Sequence, residues 1–263
     1  MIDYKNIKRI VVKVGTSTLT HRTGKLNLKR MDHLAMVLSD IKNSGKEVVL
    51  VTSGAITAGV NKMGLSARPK DIKGKQAAAS VGQCELMFIY DKLFSQYGNV
   101  VAQLLLTKSV MEDDILKKNV TNTFDTLLKA GIIPIINEND SVAIDEIVYG
   151  DNDMLSAVTA KLIDADLLVI LSDIDGLYES NPAEDPDARL ISVVEHIDEK
   201  IEAVAGGSQS GVGTGGMKAK INAAKLAVAH GTDVIITNGE KPEILYDILE
   251  GRSVGTLFCK EKQ

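Results

Sequence analysis

The feature that most limits what this chain can fold into is the alternation of short, continuous aliphatic runs with longer stretches of helical periodicity. Arg9 to Val14, Glu47 to Thr52, Val100 to Leu106, Ile132 to Ile136, Leu167 to Leu171, Asp233 to Thr237 and Gly255 to Phe258 read as strands. Such runs lack polar alternation, which suits strands covered on both faces, as in a parallel sheet. Between them, Leu28, Met31, Leu34, Ala35, Leu38 and Ile41 follow helical spacing after a capping Asn27 and before Gly45. Asp71 caps a long helix reaching Tyr97, and further helices are expected over Asn119 to Ala130, Met154 to Ile163 and Ile244 to Leu249. The pattern predicts an α/β chain, a three-layer α/β/α sandwich around a mainly parallel central sheet. Pro134 makes the fourth run a weaker strand signal than the others, since proline cannot donate to a ladder. The chain has 263 residues with no repeat and no Pro/Ser-rich linker. It reads as one domain, with approximate lobes 1–164 and 165–263 divided at Asp164-Ala165-Asp166.

Polar residues follow directly on these aliphatic runs. Ser53-Gly54-Ala55 ends the second, Asn137-Glu138-Asn139-Asp140 the fourth, and Ser172-Asp173 the fifth. In open α/β sheets, ligands bind outside the carboxyl ends of the strands. Lys13 is anomalous within its aliphatic run, because a buried lysine needs an anion beside it; an edge position with the ammonium reaching solvent is the alternative. Asp153 stands where a helix begins, either as its N-cap or as a carboxylate that organises cations near a phosphoryl group.

Gly211-Val212-Gly213-Thr214-Gly215-Gly216 holds four glycines in six residues, which no helix or strand interior favours. A helical periodicity starts at Met217, with Lys218 and Lys220 in its first turn. An uncrowded loop feeding a helix N-terminus suits a phosphate; a surface linker is the plainer alternative. The stretch is neither a GxxxxGK[ST] loop nor a GxGxxG turn placed directly after a strand.

Composition removes several classes. Net charge is −5, and no basic stripe appears, which argues against nucleic acid as the main partner. The N-terminus lacks a signal-peptide pattern and no apolar run is long enough to span a bilayer, so a cytoplasmic protein with no membrane partner is expected. Cys84 and Cys259 show no metal-ligand spacing and read as free thiols.

Five segments occur in order: Lys13-Val14-Gly15-Thr16-Ser17, Val51-Thr52-Ser53-Gly54-Ala55, Ile136-Asn137-Glu138-Asn139-Asp140, Gly150-Asp151-Asn152-Asp153 and Gly213-Thr214-Gly215-Gly216-Met217. Together they resemble the amino acid kinase family, and within it the branch that phosphorylates glutamate on the way to proline. The resemblance covers about Lys8 to Phe258. Many members carry a C-terminal PUA domain, which is not expected here, and many have Thr where this sequence has Ser172.

The resemblance implies ATP-dependent phosphorylation of the γ-carboxylate of L-glutamate, with Mg²⁺ carried by ATP rather than by dedicated protein ligands. It assigns catalysis to Lys13, Lys220 and Asp153, the aspartate holding the two ammonium groups. ATP falls to Lys13, Ser172, Asp173, Thr214, Gly215, Gly216, Met217, Lys218, Ala219 and Lys220. Glutamate falls to Ser53, Gly54, Ala55, Asn137, Asp140 and Asn152. It further implies a dimer or tetramer, feedback inhibition by proline, and functional coupling to a glutamyl-phosphate reductase. A carboxylate is already ionised at neutral pH and needs no general base, so His21, His33, His196 and His230, which sit at no motif, are expected to be structural or exposed. A sister kinase with another acceptor and a silent ATP/amino-acid sensor are the competing readings.

Overall fold

A computed structural model describes residues 4–142, 152–182, 184–206 and 216–261. In chain order its elements are β1 (Arg9–Val14), α1 (Thr16–Leu19), α2 (Leu28–Asn43), β2 (Glu47–Val51), α3 (Ala55–Lys62), α4 (Ile72–Gln96), β3 (Val101–Leu106), α5 (Asp114–Lys129), β4 (Ile133–Glu138), α6 (Asn152–Leu162), β5 (Leu167–Ser172), β6 (Val193–Val194), α7 (Glu199–Gly206), α8 (Met217–Val228), β7 (Asp233–Asn238), α9 (Ile244–Leu249) and β8 (Thr256–Phe258).

The strands form one continuous sheet in the order β3-β4-β2-β1-β5-β7-β8-β6. Pairing is parallel throughout, except where β7 meets β8. Side chains of successive strand residues go to opposite faces. Val11, Leu168 and Ile170 join a core with Phe124, Ala157, Ala160, Ile221 and Ala224 from α5, α6 and α8. Ile10, Val12, Val169 and Leu171 join a second core with Leu34, Leu38, Leu86, Tyr90 and Ile248 from α2, α4 and α9. The expected α/β/α sandwich is therefore present.

Asn27 and Asp71 cap α2 and α4 as their sequence positions predict, accepting from Arg30 N at 3.1 Å and Gly74 N at 2.7 Å. The helix expected from Asn119 starts earlier, at Asp114, because the Asp113 side chain accepts from Ile115 N and Leu116 N and so supplies a cap upstream. Pro134 does lie inside β4. Ile133 N donates to Val100 O on the β3 side, so the proline nitrogen faces β2, whose ladder with β4 begins only at Ile135.

The chain builds β1 to β4 on one side of β1, then places β5 on the other. A crevice forms at such a reversal, beyond the strand tips. Against it α3 and α4 pack with their backbones in close approach at two glycines, beside a small cluster of Ile56, Val60, Ala78 and Ala79. A Cβ on Gly59 would lie 1.7 Å from Ala78 O, and one on Gly82 1.7 Å from Ala55 O.

Candidate active site

Lys13 sits in the centre of the sheet, in register with Val51 of β2 and Ile170 of β5. Alternation sends its side chain to the α6/α8 face, the side of Val11. It is only 7% exposed, so the edge alternative fails. Its ammonium is 2.6 Å from Asp153 Oδ1. Lys220 Nζ donates to Asp153 Oδ2 at 3.0 Å. Lys220 is also 7% exposed and Asp153 2%. Three elements distant in sequence thus converge on one carboxylate.

Asp153 is in the first turn of α6, not at its cap. The positive end of the helix dipole favours a carboxylate there. Burial pushes the Asp153 carboxyl up, but the charges of Lys13 and Lys220 and their hydrogen bonds outweigh it and hold the group below the usual carboxylate range.

The neighbouring Asn152 ties two strand tips together. Its Nδ2 lies 3.0 Å from Thr52 O, 2.9 Å from Ser53 Oγ and 3.1 Å from Asn137 Oδ1. Behind this junction Thr52 Oγ1 and the Tyr90 hydroxyl are 2.7 Å apart. Gly54 follows Ser53 in the left-handed conformation, φ 94°, which L residues with side chains rarely adopt. It turns the chain from β2 into α3, bringing the N-terminus of α3 beside Ser53.

Asn137 Nδ2 in turn donates to Gln83 Oε1 at 2.9 Å. Gln83 lines a cavity of about 250 Å³ together with Ala55, Glu138 and Asp140. Gln83 belongs to none of the five quoted segments. The available signal was its place on the buried stripe of α4, with Ala79, Leu86 and Tyr90 at helical spacing, where an amide is out of pattern.

Ser172 is buried at the tip of β5, next to β1, and its Oγ donates to Asp173 Oδ1 at 3.1 Å; Asp173 itself is exposed. Gly216 precedes α8, Met217 is buried, Lys218 is exposed and Ala219 is half-buried. Lys218 therefore does not join Lys220 at the carboxylate. Gly213, Thr214 and Gly215, with Gly150 and Asp151 of the quoted segments, lie outside the described residues. None of the four histidines enters the site: His33 faces Glu243, His230 Nδ1 contacts Leu226 O, and His21 and His196 are exposed.

The sequence profile of the amino acid kinase family matches residues 8–238. A protein of Clostridium perfringens named glutamate 5-kinase is 56% identical, over 98% of this chain and 97% of that protein. One of Listeria welshimeri with the same name is 54% identical, over 98% and 95%. Among solved structures, carbamate kinase from Giardia lamblia bound to AMP-PNP superposes with a TM-score of 0.68 at 16% identity, covering 97% of this chain and 99% of that one. UMP kinase from Bacillus anthracis gives 0.64 at 16% identity, covering 97% of each chain.

Proposed function

The chain belongs to the amino acid kinase family, and on that premise we propose that it transfers the γ-phosphoryl group of ATP to the side-chain carboxylate of L-glutamate, giving L-glutamyl 5-phosphate for proline biosynthesis. The observation that carries the reading is the meeting of Lys13 and Lys220 on Asp153.

The chemistry sets the requirements. The nucleophile is an anion attacking a polyanion, so activation by a base is unnecessary and charge repulsion is the obstacle. Charge also spreads over the transferring phosphoryl oxygens. Catalysis then consists of alignment and electrostatic stabilisation. In this reading Lys13 and Lys220 neutralise the phosphoryl oxygens from two sides, and Asp153 holds both ammonium groups in place before the nucleotide arrives. Burial keeps water from screening them. Mg²⁺ carried by ATP would supply further neutralisation of nucleotide charge. The side chains meeting at this point are chiefly ammonium groups, which fit phosphate rather than a cation, so the metal would be held by phosphate oxygens and water.

Glutamate occupies the side of the crevice formed by residues 1–164. Ser53 Oγ and the Gly54 and Ala55 N–H groups receive a carboxylate, Asn152 and Asn137 fix their arrangement, and Asp140 receives the α-ammonium. The nucleotide falls to the lobe 165–263, with Ser172, Asp173 and Gly216 to Lys220 as the described residues assigned to it and Thr214 and Gly215 assigned by the resemblance. Proline competes for the glutamate side as feedback inhibitor. The working form is a cytoplasmic homo-oligomer, for which exposed Val81 and Phe88 on α4 offer apolar surface. Its acyl-phosphate product is labile and calls for coupling to a glutamyl-phosphate reductase. Among the described residues no helix is long and apolar enough to cross a membrane.

The test is ATP consumption with glutamate, acetylglutamate, aspartate or carbamate as acceptor, with hydroxylamine trapping any acyl phosphate. Glutamate should give the hydroxamate in step with ADP. Hydroxamate or ADP formation with another acceptor and none with glutamate would move the chain to a sister activity. Tight binding of ATP and glutamate without turnover would make it a sensor.

A further inference from the structure

Gln83 belongs to a chain of amides whose direction is set at one end by the backbone. The Thr52 carbonyl can only accept, so Asn152 must turn its Nδ2 towards it. That nitrogen also faces Asn137, which therefore presents Oδ1. Asn137 is left with Nδ2 for Gln83, which presents Oε1. By elimination, Gln83 Nε2 points away from this chain. It has no hydrogen-bond partner among the described residues, on a side chain only 8% exposed. Buried amide nitrogens are rarely left so, because desolvation without a partner is costly. The residue lines the cavity that also contains Asp140 and the start of α3 at Ala55.

We propose that Gln83 is a substrate-recognition residue, whose Nε2 donates to the α-carboxylate of the acceptor amino acid as its α-ammonium meets Asp140. The inference rests on the glutamate kinase reading above and deepens it. The γ-carboxylate has to lie at the Lys13/Lys220 end, where the phosphoryl group arrives. The far carboxylate then needs a donor on the Asp140 side, and Gln83 Nε2 is a buried donor there without an acceptor among the described residues. The same contact gives recognition a route to the reacting end: a ligand that fixes Gln83 also fixes Asn137 and Asn152, and through them Ser53.

Two substitutions separate recognition from support. Gln83→Met removes both the acceptor used by Asn137 and the free donor. Gln83→Glu keeps an acceptor for Asn137 but replaces the donor with an oxygen. Both are assayed at pH 8 by hydroxamate formation, with glutamate KM, ATP KM and kcat determined for each and folding checked by thermal denaturation. Loss of a hydrogen bond to a charged group predicts a roughly 10–100-fold rise in glutamate KM for both, well beyond any change in kcat or ATP KM. A near-normal glutamate KM in folded Gln83→Glu, or an unchanged KM in folded Gln83→Met, would overturn the proposal. Failure of the unsubstituted protein to form the hydroxamate would instead refute the underlying substrate assignment.

Discussion

Lys13 and Lys220 meet on opposite oxygens of one buried carboxylate, 2.6 Å and 3.0 Å away at Asp153. One lysine comes from the first strand and the other from the helix that follows the glycine-rich stretch. Neither position is stable alone, since a buried ammonium group without an anion is strongly disfavoured. Packing of the two halves of the sheet therefore goes together with assembly of this lysine–carboxylate cluster.

Replacing Asp153 with Asn should expose that coupling. The side chain keeps its shape, but both buried lysines lose their common anion, and the loss at pH 7 should be about 3 kcal/mol or more, as for breaking a buried ion pair. The folded carboxyl titrates below its ordinary value of 3.8. Its contribution is thus complete above that value and is lost as pH falls through the lower, folded one. Urea denaturation of both proteins should show a wide stability gap at pH 7 that narrows below about pH 4. A gap independent of pH over that range would assign the loss to packing instead.

Asn152→Ala should strike acceptor binding. It removes the nitrogen that contacts Thr52 O, Ser53 Oγ and Asn137 Oδ1. Glutamate KM should rise about tenfold or more, while ATP KM changes much less. Steady-state kinetics with each substrate varied in turn decides it; an equal rise in both constants would mean general disorder of the crevice.

Gly82→Ala should separate α3 from α4. The added Cβ would fall 1.7 Å from Ala55 O and 2.4 Å from Gly59 N, backbone atoms that cannot turn aside. Overpacking of this kind costs about 1–3 kcal/mol or more. Because Ala55 opens α3 directly after Ser53 and Gly54, glutamate KM should increase along with the loss in thermal stability. A variant as stable and as active as the parent would show that the two helices are not locked together.

Much of this arrangement was legible in the sequence because it depends on local patterns. Aliphatic runs gave the strands nearly to the residue, as at Arg9–Val14 and Ile244–Leu249 for the last helix, and a lysine out of place in such a run pointed to an anion. Other parts depend on long-range contacts. Nothing local distinguishes Asp153 as a capping residue from Asp153 as the partner of two distant lysines; only the packing of α6 against β1 and α8 decides. The fourth strand forms despite Pro134, which is tolerated because the β2 ladder beside it begins only at Ile135. Gln83 was overlooked because its role lies in an amide chain linking α4 to β4 and α6. The two-residue strand Val193–Val194 carries too little pattern to be read in advance.

The central claim is that Lys13 and Lys220 act on the migrating phosphoryl group rather than only supporting the fold. The most direct measurement compares Lys220→Ala with the parent protein, using hydroxamate formation for turnover and calorimetry for ATP and glutamate affinities. Loss of one transition-state contact predicts a fall in kcat of about 10²-fold or more, with the glutamate dissociation constant within a few-fold of the parent. A folded Lys220→Ala protein with near-normal kcat would contradict the account.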